Sequence, residues 1–336
     1  MSCRMCAIRD RHVEHRERSE ETMTDGQIEK WADPAMWLAE AQEERHPTVT
    51  LLGMTDQPLR VLAAAAELYQ GRVVRDVGDV SQETAKRWFA DMTRTKLAAP
   101  LEFIDLHFLL EGVTRAFTHQ LVRQRTAVYV QESLRFAVVE DMPVGEPPSV
   151  AGLKDDDPLK VVWTDTAETI RVAYNQLIAS GMPAEDARGL LPTNTLTRVH
   201  YKTNLRNLAD HAGNRLCTQA QYEWRQVWAR MIQAIRDRPR EQEWWSDAWQ
   251  YDAIAELFKP ACYQIGRCAF KGTADRYCSI RSRVDEHEAH GTPSSQWEDI
   301  QAWEWLADPT AARPKNGPDQ SSQSAPTTQP GRHNDS

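Results

Sequence analysis

Two segments place arginine and amide side chains at short spacing beside apolar elements. The first is Thr118-His-Gln-Leu-Val-Arg123-Gln-Arg125, which continues through TAVYVQE to Ser133-Leu-Arg135. The second gathers Arg188, Arg198, Asn204, Arg206, Asp210 and Arg215. Arginine presents a rigid fork of N–H donors that matches phosphate oxygens, and a serine hydroxyl adds one more donor. Focused by ordered elements, such a set suits compact, multiply charged anions, and a nucleotide and a dinucleotide cofactor both qualify. For any single residue of the set the competing reading is an exposed salt bridge, because surface ion pairs are common and weak.

The elements that must carry these groups follow from periodicity. Arg206 and Asp210 are four apart on one helix face, so they could pair. Asn204, at the start of that helix, can cap it or offer its amide to a ligand. Arg123 and Arg125 end an amphipathic helix, where the dipole favours cations. In an extended segment Ser133 and Arg135 project to the same side. Around them, Thr48–Leu52 reads as a short strand and about 57–69 as a helix, with Leu59, Leu62, Ala63 and Ala66 in one stripe. Residues 101–110 read as a buried strand, followed by a helix carrying Val113, Phe117 and Leu121 to about Arg123. The stretch Val128–Val139 is β-prone, and Pro143 to Pro148 make an irregular connection. A helix is expected over about 159–180, with Trp163, Ala167, Ile170, Tyr174 and Leu177 on one face. Gly181-Met-Pro183 breaks it, and a short acidic-capped helix then ends at Pro192. The longest helix is expected from about Asn204 to Ile235.

Composition limits the partners. The chain has 336 residues, 41% hydrophobic and 26% charged, with a formal net charge of −9. Such a molecule is repelled by a polyanion, so no nucleic-acid partner is expected and any phosphate must be held by a local arginine cluster. No apolar run approaches bilayer length, so no membrane partner is expected either. The first 26 residues lack the apolar core of a secretory signal, and Met23 is a candidate start. A soluble, cytoplasmic protein is therefore expected, its six cysteines reduced thiols.

With those residues in place, the chain resembles the flavin-dependent thymidylate synthases (ThyX family). Arg123-x-Arg125, then seven residues, then Ser133 matches the family signature. Pro100-Leu-Glu102, Gly112-Val, Thr118-His-Gln-Leu-Val-Arg123, Gln131-x-Ser133-x-Arg135, Arg188-x-x-x-Pro192 and Asn204-x-Arg206 followed by Arg215 fall in the family's order across roughly residues 48–236. The resemblance implies an α+β fold with a mixed or antiparallel sheet packed by long helices. Residues 1–30 and 309–336 are then disordered tails, 31–236 the catalytic domain, and 237–308 a helical C-terminal extension. It implies FAD contacts from Arg123, Gln124, Arg125, Gln131, Asn204, Arg206 and Asp210. It implies that Gln120, Arg123, Ser133, Arg135 and Arg188 hold dUMP, mainly its phosphate, and that Arg215 contacts the pyrimidine ring and is catalytic. The implied reaction transfers a one-carbon unit from methylenetetrahydrofolate to C5 of dUMP, giving dTMP, with hydride from reduced FAD and NADPH as reductant. A homotetramer with shared active sites is implied as well. No protein nucleophile is needed, which makes Ser133 a phosphate ligand.

Three positions depart from the family pattern. Gln124 stands where His is usual, Phe103 follows Glu102 where His is usual, and Asp210 replaces an Asn near the flavin. An ionised Asp210 beside an anionic flavin needs a neutralising cation such as Arg206. Hydroxymethylation, action on UMP or dCMP, and an inactive nucleotide-binding protein are the alternatives that these departures raise. No metal is expected, since Cys262, Cys268 and Cys278, with His287 and His290 downstream, lack the tight pairing of a zinc site.

Overall fold

Alternation writes the central strands. In the computed structural model, which describes residues 47–95, 97–139, 143–217, 220–242, 245–268 and 281–296, β1 spans Thr48–Met54. It leads into helix α1, Pro58–Glu67, and α2, Gln82–Arg94. Strand β2, Asp105–Thr114, buries Leu106, Phe108, Leu110 and Val113 on one face. Its register against the next partner shifts between Leu110 and Val113, where Gly112 takes φ 65°, a conformation that an L side chain resists. Helix α3, Arg115–Leu121, follows at once, then β3, Val128–Gln131. The long α4, Pro158–Ala179, and the short α5, Ala184–Ala187, precede β4, Leu196–Asn204. Helices α6, Leu205–Arg215, and α7, Tyr222–Glu241, come next. The sheet is antiparallel throughout, in the order β1-β2-β4-β3, so the fold is α+β.

One sheet face carries Phe108, Val199 and Tyr201 into a core completed by α1, α6 and α7. The other face presents His107, Arg198, His200 and Lys202 with the exposed Val128 and Val130. Beyond α7, helix α8, Ala248–Ala255, returns to the same core with Tyr251, Ile254 and Ala255. Gln250 in this helix is fully buried, and its Oε1 accepts from the backbone N–H of Leu59 in the first turn of α1 at 3.0 Å. Phe258 packs on Trp228 at 5.2 Å between ring centroids. No helix among the described residues is long and apolar enough to cross a membrane.

Several expectations need correction. The strand expected over 101–110 begins at Asp105, because Ala99–Phe103 is a 3-10 turn. The β-prone run Val128–Val139 pairs only to Gln131. Ser133 then starts a turn in which its carbonyl accepts from Ala137 N at 3.0 Å, so Ser133 and Arg135 do not share an extended face. The single helix expected from Asn204 to Ile235 is two, α6 and α7. Leu216 and Trp224 lie in one core but on different elements, and their spacing mimics a continuous stripe. Strand β4 and helix α2 were not anticipated. β4 buries Thr197, Val199, Tyr201 and Thr203 against charged outward residues, a weak hydrophobic signal. The expected tails at 1–30 and 309–336, and Cys3, Cys6 and Cys278, lie outside the described residues.

The α1–α2 corner holds a buried carboxylate. Glu67 accepts from Arg72 Nε and from Trp88 Nε1 at 2.6 Å, with Arg87 at 3.4 Å. These bonds, Arg72's first, outweigh burial and hold Glu67 near pKa 2 instead of 4.5. Because the folded value is depressed, its stabilisation is present above about 4.5 and is lost as pH falls toward about 2. Glu67→Gln should flatten the loss of thermal stability across that window relative to the parent. An unchanged pH slope in melting curves would exclude Glu67 as a source of acid lability.

Candidate functional site

The site is assembled from the junction of β2 and α3. Thr114 ends the strand and caps the helix, its hydroxyl oxygen accepting from Phe117 N at 3.0 Å. The Thr114 backbone N–H and hydroxyl each donate to the buried Glu223 carboxylate at 2.6 Å, tying this junction to the first turn of α7. Burial pushes Glu223 up, against the opposing effect of those two bonds. The next residue, Trp224, is thereby set against Phe117 at 4.4 Å between centroids.

On that floor sits Arg215. Its guanidinium lies over the Trp224 ring at 4.6 Å, a cation–π contact. Its Nη1 donates to Gln120 Oε1 at 3.3 Å, and its Nε donates to His211 Nε2 at 3.2 Å. Trp224 Nε1 donates to the same Gln120 oxygen at 3.0 Å, while Gln120 Nε2 donates to Gln221. Burial lowers the pKa of Arg215, and burial followed by the charge of Arg215 lowers that of His211 to about 4. Gln120 and Arg215, nominated from separate segments, are thus brought into direct contact.

A second cluster gathers Arg115, Arg135 and Arg188. Arg135 Nε pairs with Glu185 at 3.0 Å and its Nη2 donates to the other oxygen of that carboxylate at 3.2 Å. Arg188 lies 3.9 Å from the same carboxylate and donates from Nε to the Glu185 carbonyl at 3.0 Å. Arg115 Nη2 donates to the Glu132 carbonyl at 2.7 Å, while its buried Nε has no partner. Burial lowers the Arg115 pKa; the Glu132 charge opposes that, and Arg188 adds a smaller effect in the lowering direction. Ser133 Oγ accepts from Arg135 N at 3.3 Å, leaving its own O–H available. Glu185 therefore sits where two arginine side chains converge.

The third group lies where the turn after α3 meets the start of α6. Arg123 and Arg125 are exposed on that turn. Gln124 is held on both sides, accepting from Tyr201 O–H at 2.8 Å and donating to the Asn207 carbonyl at 3.2 Å. Asn204 caps α6 by accepting from Asn207 N at 3.0 Å. Gln131 donates to Thr118 Oγ1 at 3.0 Å. Arg206 binds Glu102 at 2.6 Å, not Asp210, which is exposed on the next turn. Arg198 pairs with Glu111 at 3.3 Å and Glu132 at 3.7 Å on the open sheet face, away from its expected constellation.

The Thy1 family, described as thymidylate synthase complementing protein, matches residues 50–238. The flavin-dependent thymidylate synthase of Pyrococcus furiosus is 32% identical over 244 residues, covering 70% of this chain and 94% of that enzyme. This chain belongs to the flavin-dependent thymidylate synthase family. The Pyrococcus abyssi member is 30% identical over 241 residues, again covering 70% and 94% of the two chains. Among solved structures, a UMP/dUMP methylase, PolB, from Streptomyces cacaoi bound with 5-Br dUMP aligns with a TM-score of 0.47 at 23% identity. It covers 63% of this chain and 94% of that one.

Within the flavin-dependent thymidylate synthase family, this chain's departures now have physical contexts. Gln124 does bridging work between β4 and α6 that needs a donor and an acceptor on one side chain, which an amide provides. Phe103 is exposed at the end of its 3-10 turn. Arg115, Glu185, His211, Gln221, Glu223 and Trp224 join these clusters without having been expected there. His211 and Arg215 share the four-residue spacing that drew attention to Arg206 and Asp210, so that pair was open to the same rule. Trp224 and Glu223 had no such signal, because they meet the site from a different helix.

Proposed function

We propose that this chain transfers a one-carbon unit from methylenetetrahydrofolate to C5 of dUMP, giving dTMP, with FAD as cofactor and NADPH as reductant. The observation that carries the reading is Arg215, fixed by Trp224, Gln120 and His211 while most of its Nη donors remain unused by them. Those donors suit the carbonyl oxygens of a pyrimidine and stabilise negative charge as it develops on the ring, in a partly desolvated setting where such bonds are strong. Arg135, Arg188 and the Ser133 hydroxyl take the nucleotide phosphate, Arg123 reaches the nucleotide from the turn after α3, and Gln120 lies on the ring side. FAD, when bound and reduced, supplies the hydride. Arg123, Arg125 and Arg206 offer forks to its pyrophosphate, and Asn204, Gln131, Gln124 and Asp210 offer polar groups around it. The buried, unpartnered Nε of Arg115 adds a donor beside the phosphate cluster.

The reading includes a cytoplasmic homotetramer whose neighbouring subunits complete each site. It also includes a catalytic domain over 31–236 with 237–308 as an extension. The test is to purify the full chain, record its flavin spectrum, and incubate it with dUMP, UMP or dCMP, methylenetetrahydrofolate and NADPH. A yellow protein yielding a dTMP-mass product from dUMP is expected; colourless protein that takes up no FAD would overturn the reading. A hydroxymethyl mass, or a preference for UMP or dCMP, would assign a related transfer instead.

Glu185 supplies a sharper check of the phosphate assignment. A nucleotide must displace its carboxylate from Arg135, and exposed pairs of this kind are worth about 0.2–1 kcal/mol. Glu185→Gln is therefore expected to tighten dUMP binding by roughly 1.4- to fivefold, read by flavin absorbance on titration. Unchanged or weaker binding would remove the phosphate from this cluster.

A further inference from the structure

We propose that His211 is a positioning residue for the reaction, holding the Arg215 guanidinium in its working orientation by accepting a hydrogen bond at Nε2. The inference deepens the functional reading above and rests on it. A guanidinium has three nitrogens in one plane. Here the Nε–H is taken by His211 at 3.2 Å, one N–H of Nη1 by Gln120 at 3.3 Å, and the face by Trp224 at 4.6 Å. Two in-plane bonds and one stacked face leave the group no rotation, and they leave Nη2 and the second Nη1 hydrogen for a ligand. Removing the His211 contact leaves one in-plane bond, to Gln120, and the Trp224 face, so the guanidinium can turn in its own plane over the indole about the Gln120 bond.

The chemistry of the contact selects the state of the imidazole. Arginine is a donor only, so the nitrogen that meets it must carry no proton, which leaves the ring proton on Nδ1. Burial first, and the adjacent Arg215 charge second, keep His211 neutral down to about pH 4, so the acceptor is present at neutral pH. The side chain is itself held: its ring meets Trp224 edge-on at 84° and 5.1 Å, and it lies one helical turn before Arg215 on α6. Packing alone would be met equally well by a phenyl ring, which has the same edge but no acceptor. That difference makes the inference testable.

The experiment compares wild type, His211→Phe and His211→Gln as full-length, FAD-loaded protein. Each is measured for melting temperature, for the flavin spectral change on adding dUMP, and for steady-state turnover with methylenetetrahydrofolate and NADPH. The expected result is that His211→Phe keeps its fold and its KM for dUMP but loses about 10- to 100-fold in kcat, the scale of a small misplacement of a catalytic group. His211→Gln, whose amide oxygen reaches close to the Nε2 position, should recover most of that loss. Wild-type kcat in His211→Phe, or a glutamine variant as impaired as the phenylalanine one, would overturn the positioning role. A loss in both variants that tracks their melting temperatures would reduce His211 to packing and overturn it as well. If the wild type forms no product, the functional reading fails separately. In that event 15N NMR of the imidazole at neutral pH still decides the contact: a proton on Nε2 would refute it.

Discussion

Replacing Arg215 with alanine should lower kcat by about 10²- to 10³-fold, the cost of removing one preorganised donor from a developing anion. Several features keep the effect on chemistry and not on folding. Arg215 is a half-buried side chain at the C-terminal end of α6, and its removal leaves Gln120 Oε1 still bonded to Trp224 Nε1 at 3.0 Å. The Trp224 ring remains packed on Phe117 at 4.4 Å. The Arg135 and Arg188 cluster proposed to hold the phosphate stands on other elements, so dUMP should still perturb the flavin spectrum of the alanine variant. Lysine at this position keeps the charge but cannot fill the planar fork bonded to Gln120 and His211, and should recover only part of the rate. Steady-state kinetics with flavin content measured in parallel checks both variants. Turnover at the parental rate in Arg215→Ala would remove this residue from the mechanism, whatever the fate of the phosphate assignment.

Trp224→Ala is expected to give the largest loss of stability, about 3–5 kcal/mol for emptying a fully buried indole site. That is a large fraction of the roughly 5–15 kcal/mol that holds a domain together. Trp224 is 1% exposed, and it joins three structures: the core through Phe117, α3 through Gln120, and α6 through Arg215 and His211. Its loss should therefore abolish activity even at temperatures where the chain remains folded, because the floor under Arg215 is gone. Trp224→Phe keeps most of the burial and forfeits the N–H to Gln120, at a cost of about 1–2 kcal/mol. Chemical denaturation of the two variants beside the parent provides the measurement. An alanine variant as stable as the parent would show that Trp224 is not the element joining these helices.

The candidate site was legible in one dimension as a set of residue types, because arginine and serine offer donor sets for phosphate that few other residues match. Arg123, Arg125, Ser133, Arg135, Arg188, Arg206 and Arg215, in their order and spacing, were enough to point to the family that comparison then established. Strand β1, helix α1 and helix α4 were also legible, since Leu59, Leu62, Ala63 and Ala66 recur at helical spacing and form a buried stripe. Strand β4 was not. Its inward residues are mostly Thr and Tyr, and its identity comes from pairing with β2, whose residues lie some 90 positions earlier in the chain.

What the sequence alone determined, then, was the chemical inventory, arginines and amides at short spacing in an acidic chain, and through its motifs the resemblance that implied an α+β fold. What only the tertiary structure decided was the partner of each charge. Arg206 could have taken Asp210 four residues on, yet it meets Glu102 from across the fold. Arg135 meets Glu185, and Arg215 rests on a tryptophan from the next helix. Side-chain spacing along one element ranks only local partners. Charges and ring faces are satisfied by whichever group the packing of sheet and helices brings within a few ångströms, and that choice is made by the whole core at once.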